Sequence, residues 1–371
     1  MIVGIPKEIK ALENRVGMPP AGVDALVKAG HTCYLEKSAG LGSGFTDEEY
    51  IEAGAIILDT AQEVYERSDM IVKVKEPLKS EIPYLKENQI VCAYFHLAPD
   101  KGLTEALLKA KVIGIAYETV ELPNGALPLL APMSEVAGRM AIQVGAHLLE
   151  KTNGGRGMLL GGVSGVEPAT VVIIGGGNVG INAVKIAVGL GAQVTVLDIS
   201  GARLAYIDDI FNGRVVTLMS NNYNIAKAVK RADLVIGAVL IPGAKTPKVV
   251  TEEMVKTMKP GSVLVDVAID QGGAIETMDR VTSLDNPYFV KHGVIHYSVG
   301  NMPGAVPRTS TMALTNATMP YVLKIANKGV EKAMQEDEAL RKGLNVYKGK
   351  LTIKAVAETQ GLNYTSSEEL F

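Results

Sequence analysis

Apolar and polar residues alternate along the chain in blocks whose period switches repeatedly between that of a strand and that of a helix. Short, mostly apolar runs rich in β-branched residues predict strands at Ile2–Ile5, Thr32–Glu36, Met70–Val74, Gln89–Tyr94 and Val112–Ala116. Helical patterns such as Pro20–Ala29 and Asp100–Ala110 lie between them. This alternation predicts a parallel sheet wrapped by helices. A long helix is expected from Ser134, read as its N-cap, with Val136, Ala137, Met140, Ala141, Val144 and Leu148 on one face. The glycine-rich stretch Asn153–Val166 then reads as a flexible or hairpin connection, and it lacks the G-x-S-x-G spacing of a nucleophile elbow. A second α/β series comes next, with strands expected at Val171–Ile174, Val194–Leu197, Val215–Met219, Leu234–Val239 and Val263–Ala268. After Ser310 a helical pattern carries Val322, Leu323, Ala326 and Val330, with Pro320 expected to kink it.

One junction in this pattern carries chemistry. The run Val171–Ile174 leads into Gly175-Gly176-Gly177-Asn178-Val179-Gly180, then a helical pattern, then a second apolar run ending in Asp198. Strand, G-x-G-x-x-G, helix and terminal acid together are the context of a dinucleotide site. Gly175 permits the tight turn, Gly177 lets backbone N–H groups approach a pyrophosphate, and Gly180 lets the helix pack on the strand. Asp198 is placed to accept from ribose hydroxyls, and its charge disfavours a 2′-phosphate, so NAD is expected rather than NADP. Arg203 could compensate such a phosphate. The fold class expected is therefore α/β, two Rossmann-like parallel-sheet domains with a cleft between them. Residues 1–133 plus 305–371 would form a substrate domain and 134–304 the NAD-binding domain, bridged by the helix from about 134.

Size and composition agree with this plan. A chain of 371 residues with 47% hydrophobic and 21% charged residues can bury two such sheets. A net charge of −3 without blocks of like charge offers no footprint for nucleic acid or an anionic membrane. The absence of a transmembrane pattern and of a signal peptide predicts a soluble, cytoplasmic protein. Cys33 and Cys92 sit in apolar runs and read as reduced core residues, and no Cys/His spacing suggests a metal.

In open parallel sheets ligands bind beyond the carboxyl ends of the strands. Reading outward from those ends yields Lys75 after Met70–Val74, His96 after Gln89–Tyr94 and Asp270 after Val263–Ala268, with Arg15 in the loop after the first strand. Two cations, an imidazole and a carboxylate suit the binding of a small carboxylate beside a nicotinamide ring. Taken singly, each has an ordinary reading: a surface cation, a hydrogen-bonded structural histidine, a turn aspartate. His31, His147, His292 and His296 are read as structural.

The segments Val3–Glu8 through Asn14-Arg15-Val16, Lys73–Pro77, Tyr94–Ala98, Ala131–Met140 and Asn301–Thr311 closely resemble the alanine dehydrogenase family, and the resemblance covers essentially the whole chain. It implies NAD-dependent, reversible oxidative deamination of L-alanine to pyruvate and ammonium, without metal or flavin, by a homohexamer. By residue matching, Arg15 and Lys75 would bind substrate, while His96 and Asp270 would be catalytic. Ser134, Asn178, Val179, Asp198, Arg203, Ser220, Val239, Leu240, Val267, Ala268, Ile269, Asp270, Arg280, Val299, Gly300, Asn301 and Met302 would lie along the NAD site with Gly175, Gly177 and Gly180. Tyr94, Leu130 and Met133 are candidates to line the side-chain pocket. Three alternatives stay open at this point: a hydride-transferring subunit resembling the soluble part of transhydrogenase, a dehydrogenase of the saccharopine type, and a non-catalytic NAD-binding module.

Overall fold

A computed structural model describes residues 1–239 and 246–371. The chain divides into two compact units, Met1–Met133 with Val306–Phe371 (unit 1) and Ser134–Ala305 (unit 2). Each has its own sheet. Unit 1 opens with strands β1 (Ile2–Ile5), β2 (Thr32–Glu36), β3 (Ile56–Leu58), β4 (Met70–Lys75), β5 (Ile90–Tyr94) and β6 (Ile113–Ala116). Unit 2 contains β7 (Thr170–Ile174), β8 (Gln193–Asp198), β9 (Val215–Met219), β10 (Leu234–Gly237), β11 (Val263–Asp266), β12 (Tyr288–Lys291) and β13 (Val294–Tyr297). The returning chain adds β14 (Leu344–Tyr347) and β15 (Lys350–Leu351) to unit 1.

Strand order in unit 1 is β15-β14-β6-β5-β4-β1-β2-β3, and in unit 2 β12-β13-β11-β10-β7-β8-β9. In each unit the chain first winds outward in one direction and then returns to the far side of the first strand. The order therefore reverses between β1 and β4, and again between β7 and β10. Loops at such a reversal run apart and leave a crevice at the strands' carboxyl ends. The sheets are parallel apart from β12, β14 and β15, which pair antiparallel.

Sequence explains why the central strands sit where they do. β5, β6, β10 and β11 are buried along their whole length, as continuous apolar runs covered by helices on both faces must be. The edge strand β9 is instead buried only at Val215 and half-buried or exposed beyond it. One apolar cluster joins Val91, Ala93, Phe95 and Leu107 to Val346 from the returning chain, and another joins Val172, Val235, Leu264 and Ile269 in unit 2.

Two boundaries differ from expectation. The bridging helix runs from Ala131 to Leu148, so Ser134 lies inside its first turns and is not the N-cap. Pro132 explains the earlier start: proline suits the first turn, where its missing N–H is not needed, and Ala131 N–H already donates to Leu127 O at 3.0 Å. The C-terminal helix spans Pro307–Lys328 and passes through Pro320 without interruption. It ends at Gly329, whose positive φ of 77° separates it from a further helix at Val330–Glu336.

Candidate active site

In unit 1 four adjacent strands, β1, β4, β5 and β6, deliver charged side chains to the loops at their carboxyl ends. Arg15, in the loop after β1, is 2% exposed. Glu13 accepts from its Nε at 2.7 Å and its Nη2 at 2.6 Å, a bidentate pair that fixes the guanidinium plane. Nη1 meets Met133 Sδ at 3.1 Å. Lys75 ends β4, where the β4–β5 register shifts between Val72 and Lys75. Burial first, and then the neighbouring Arg15, push its ammonium below the ordinary lysine range. Behind it, Glu8 accepts from the N–H groups of Val74 at 2.6 Å and Lys75 at 3.1 Å. Buried Lys73 pairs with Glu81 at 2.8 Å and Glu8 at 3.2 Å. Burial alone would lower the Lys73 pKa, but Glu8 and Glu81 raise it.

His96 comes just after β5 and is half exposed. Its φ is +48°, in the left-handed region. Its ring stacks on Tyr94 at 5.9 Å between centroids, 9° from parallel. The Tyr94 hydroxyl donates to Leu129 O at 2.6 Å. Glu118, in the turn Tyr117–Thr119 after β6, accepts from His96 N–H at 2.6 Å and Phe95 N–H at 3.1 Å. Neither Glu13 nor Glu118 was picked out from sequence. The strand-end rule that finds Lys75 and His96 reaches Glu118 when it is extended to β6. Glu13 has only its spacing, two residues before an arginine, to mark it.

In unit 2 the glycine loop leaves β7 as anticipated. Gly175 has φ +102°, and a Cβ there would lie 2.5 Å from Ala238 O. A Cβ on Gly180 would lie 1.9 Å from Gly175 O, whereas one on Gly177 would meet nothing within 4 Å. Gly177 is the N-cap of the helix Asn178–Gly189, and no side chain caps that helix. Space beside Gly177 and an uncapped, positive helix end together fit a pyrophosphate. Asp198 ends β8, with one oxygen accepting from Gly176 N–H at 2.6 Å and the other from Ser200 N–H at 2.8 Å. Arg203 Nε donates to Gly176 O, and Nη2 reaches Gly177 O at 3.5 Å. Ser220 N–H donates to Asp198 O at 2.9 Å. Val239 comes after β10, across the reversal point from Gly175, and Leu240 lies outside the described residues.

After β11, Val267–Ile269 lead into a short 3₁₀ turn, Ile269–Gln271, that carries Asp270. Asn301, with φ +58°, places its N–H 3.4 Å from the Asp270 carboxylate. A Cβ on Gly300 would lie 2.6 Å from Asp270 Oδ1, so a larger residue there would displace the carboxylate. Asp266 anchors the start of this loop by accepting from Ala268 N–H at 3.1 Å and Ile275 N–H at 3.0 Å. Burial pushes its carboxyl up to about 6. Val299 and Met302 are buried. Arg280 pairs with Asp279 at 2.7 Å and stacks 4.5 Å over Phe289. His296 is buried: its Nδ1 faces Val294 O at 2.9 Å, which can only accept, so Nδ1 carries the proton and Nε2 accepts from Thr277 at 2.7 Å.

Among the described residues no cluster of three His, Cys, Asp or Glu side chains could hold a metal ion, and no helix is long and apolar enough to cross a membrane. Cys33 and Cys92 are buried, with thiols pushed up to about 12 by burial.

Comparison with known proteins bears on both units. The family described as "Alanine dehydrogenase/PNT, N-terminal domain" matches residues 4–137, and "Alanine dehydrogenase/PNT, C-terminal domain" matches residues 141–354. An alanine dehydrogenase of Methanococcus maripaludis is 65% identical over 369 residues, spanning 100% of this chain and 99% of that protein. A solved L-alanine dehydrogenase superposes with a TM-score of 0.94 at 52% identity, covering 97% of this chain and 99% of that one. A solved transhydrogenase from Sinorhizobium meliloti gives 0.84 at 25% identity, covering 95% of this chain and 100% of that one.

Proposed function

Because the chain belongs to the alanine dehydrogenase/PNT family, we propose that it converts L-alanine, NAD⁺ and water reversibly to pyruvate, ammonium, NADH and a proton. It is an amino-acid dehydrogenase that works with a nicotinamide dinucleotide. The observation that carries the site assignment is the row of strand ends in unit 1, where an oriented guanidinium, a desolvated ammonium and an imidazole lie just past neighbouring strands.

Arg15 grips the substrate carboxylate through its planar fork, already oriented by Glu13. Lys75 adds a point charge toward the carboxylate or the developing carbonyl oxygen. Among the described residues its ammonium has no hydrogen bond or ion pair of its own, so it can meet substrate without breaking one. Hydride leaves Cα only when the amino nitrogen is neutral, and His96, as general base, takes the proton. When bound, the dinucleotide supplies the hydride acceptor. Water then adds to the imine carbon to give a carbinolamine. His96 returns a proton to the departing amine, and Asp270 orients the water or the nitrogen and offsets its transient positive charge.

We assign the amino acid to unit 1 and the dinucleotide to unit 2. Gly175, Gly177, Asn178, Val179 and Gly180 would hold the pyrophosphate, with Ser134, Ser220, Val239, Leu240, Val267–Ile269, Arg280, Val299, Gly300, Asn301 and Met302 along the rest of the cofactor. The NAD preference is supported by two features. Asp198 keeps lone pairs for ribose hydroxyls beyond those used by Gly176 and Ser200, and Arg203, the nearest candidate partner for a 2′-phosphate, is engaged with the glycine-loop carbonyls. A cytoplasmic homohexamer completes the proposal, supported by the family resemblance and by buried thiols suited to a reducing compartment.

A panel of small L-amino acids with NAD⁺ or NADP⁺ at alkaline pH, monitored by absorbance of the reduced cofactor, tests substrate and cofactor together. L-Alanine with NAD⁺ should be fastest. No reduction with alanine alone would reject the proposal.

A further inference from the structure

We propose that Glu118 is the positioning residue of His96: its carboxylate holds the backbone of that residue in a left-handed conformation and so sets the direction of the imidazole. This rests on the assignment of His96 to the chemistry. A positive φ at a residue with a Cβ is intrinsically unfavourable and persists only where surroundings enforce it. At His96 φ is +48°, and the enforcing contacts are visible. The Glu118 carboxylate accepts from His96 N–H at 2.6 Å and from Phe95 N–H at 3.1 and 3.3 Å, so one charged group collects two successive backbone donors. Such charge-assisted bonds are about twice as strong as neutral ones.

The clamp is itself anchored. Glu118 sits between Tyr117, which packs edge-on against Tyr94 at 5.3 Å, and Thr119, whose hydroxyl accepts from Asn345 Nδ2 at 2.7 Å. The Tyr94 ring in turn stacks on the imidazole, so the ring has a wall on one face and a pinned backbone beneath it. The His96 side chain stays 50% exposed while that of Glu118 is 15% exposed, which is the division expected of a group that reacts and a group that holds it. Imidazole Nδ1 and the nearer Glu118 oxygen are 3.9 Å apart, beyond a direct hydrogen bond. The hydrogen bonds of Glu118 to His96 therefore run through the main chain, with the carboxylate also within ion-pair range of a protonated ring.

The test is a double-mutant cycle on the full-length enzyme, with kcat measured at saturating alanine and NAD⁺. Glu118→Gln leaves one oxygen and presents an amide N–H where an acceptor is needed; it should lower kcat about tenfold, the lower end of the loss from one charge-assisted bond, with KM for NAD⁺ unchanged. In a His96→Ala background the same substitution should change kcat less than twofold, because the group it positions is gone. Glu118→Asp, a carboxylate one methylene shorter, serves if the glutamine variant folds poorly and should recover part of the rate. Wild-type kcat in Glu118→Gln, or an equal tenfold loss in the His96→Ala background, would overturn the proposal. Near wild-type turnover in His96→Ala alone would instead reject the role of His96, a separate outcome.

Discussion

Substituting Gly180 by Ala tests the link between packing and cofactor binding most directly. A Cβ at this position would lie 1.9 Å from Gly175 O, so the start of the helix Asn178–Gly189 must retreat from β7 by about 1 Å to reach the 3.0 Å that real contacts respect. The same turn is also tightly packed against a second helix. At Gly138, in the helix Ala131–Leu148, a Cβ would lie 2.2 Å from Val179 O, which shows how closely that helix already presses on the same turn. Overpacking of this kind costs about 1–3 kcal/mol, against about 1 kcal/mol gained from the helix propensity of alanine. The balance is a net destabilisation of up to about 2 kcal/mol. The shift also carries the helix N–H groups off the phosphate position. Losing one charge-assisted bond, about 1.5–3 kcal/mol, weakens binding roughly 10- to 150-fold. NADH fluorescence on titration with protein reads this Kd without tryptophan background, since the chain has no Trp. Gly189→Ala is the control, in the same helix but with nothing within 4 Å of the new Cβ. It should stabilise by up to about 1 kcal/mol and leave Kd unchanged. An unaltered NADH affinity in Gly180→Ala would refute the reasoning.

Three further outcomes are expected. Asp270→Asn should lower kcat at least about a hundredfold while NAD binding stays nearly intact, as judged by equilibrium titration beside steady-state rates. Asp198→Asn should erode discrimination against NADP by about tenfold or more, since it removes the charge that opposes a 2′-phosphate; an unchanged ratio of kcat/KM for the two cofactors would remove Asp198 from cofactor selection. Two buried groups of unit 2 should give opposing slopes in stability against pH. Burial lowers the His296 pKa to about 4, so the native state binds fewer protons than the unfolded chain and loses up to about 3 kcal/mol as pH falls from 6.5 to 4. Asp266, raised to about 6, works the other way: the native state binds more protons, and a similar amount is lost as pH rises from about 4 to 6. Urea unfolding between pH 4 and 7 should therefore be nearly flat for these two groups in the wild type, and Asp266→Asn should expose the acid loss due to His296.

Much of this architecture was legible because buried parallel strands write themselves as unbroken β-branched runs. β1, β2 and β9 fall at the residues expected, and the other anticipated strands shift only at their ends. The elements that escaped did so for physical reasons. β3, β14 and β15 are only two to four residues long; β3 pairs with β2 and β14 with β6, both distant in sequence, and β15 is the short hairpin partner of β14. Antiparallel β12 has only partly buried side chains, and its register comes from β13. Ser134 looked like a cap because serine is a good one, but Pro132 begins the helix earlier. Arg15, Lys75, His96 and Asp270 could be picked out because Lys75 closes a strand and the other three lie in loops that follow the carboxyl ends of strands. Their carboxylate partners Glu13 and Glu118 were not, because an acid in a loop is ordinarily solvated and only the folded chain shows these two turned inward on N–H donors.

The antiparallel pairing of β14 with β6 has a consequence for biogenesis. Until Leu344–Tyr347 leaves the ribosome, Ile113–Ala116 presents an open, wholly apolar edge to the cell. Those residues are made roughly 230 positions later, on the order of ten to fifty seconds of translation. Meanwhile the intervening segment Ser134–Ala305 is contiguous and can mature alone. The nascent polypeptide thus carries a finished lobe beside an unfinished one, and the strand preceding Glu118 is where chaperones or stray β-partners would find it first.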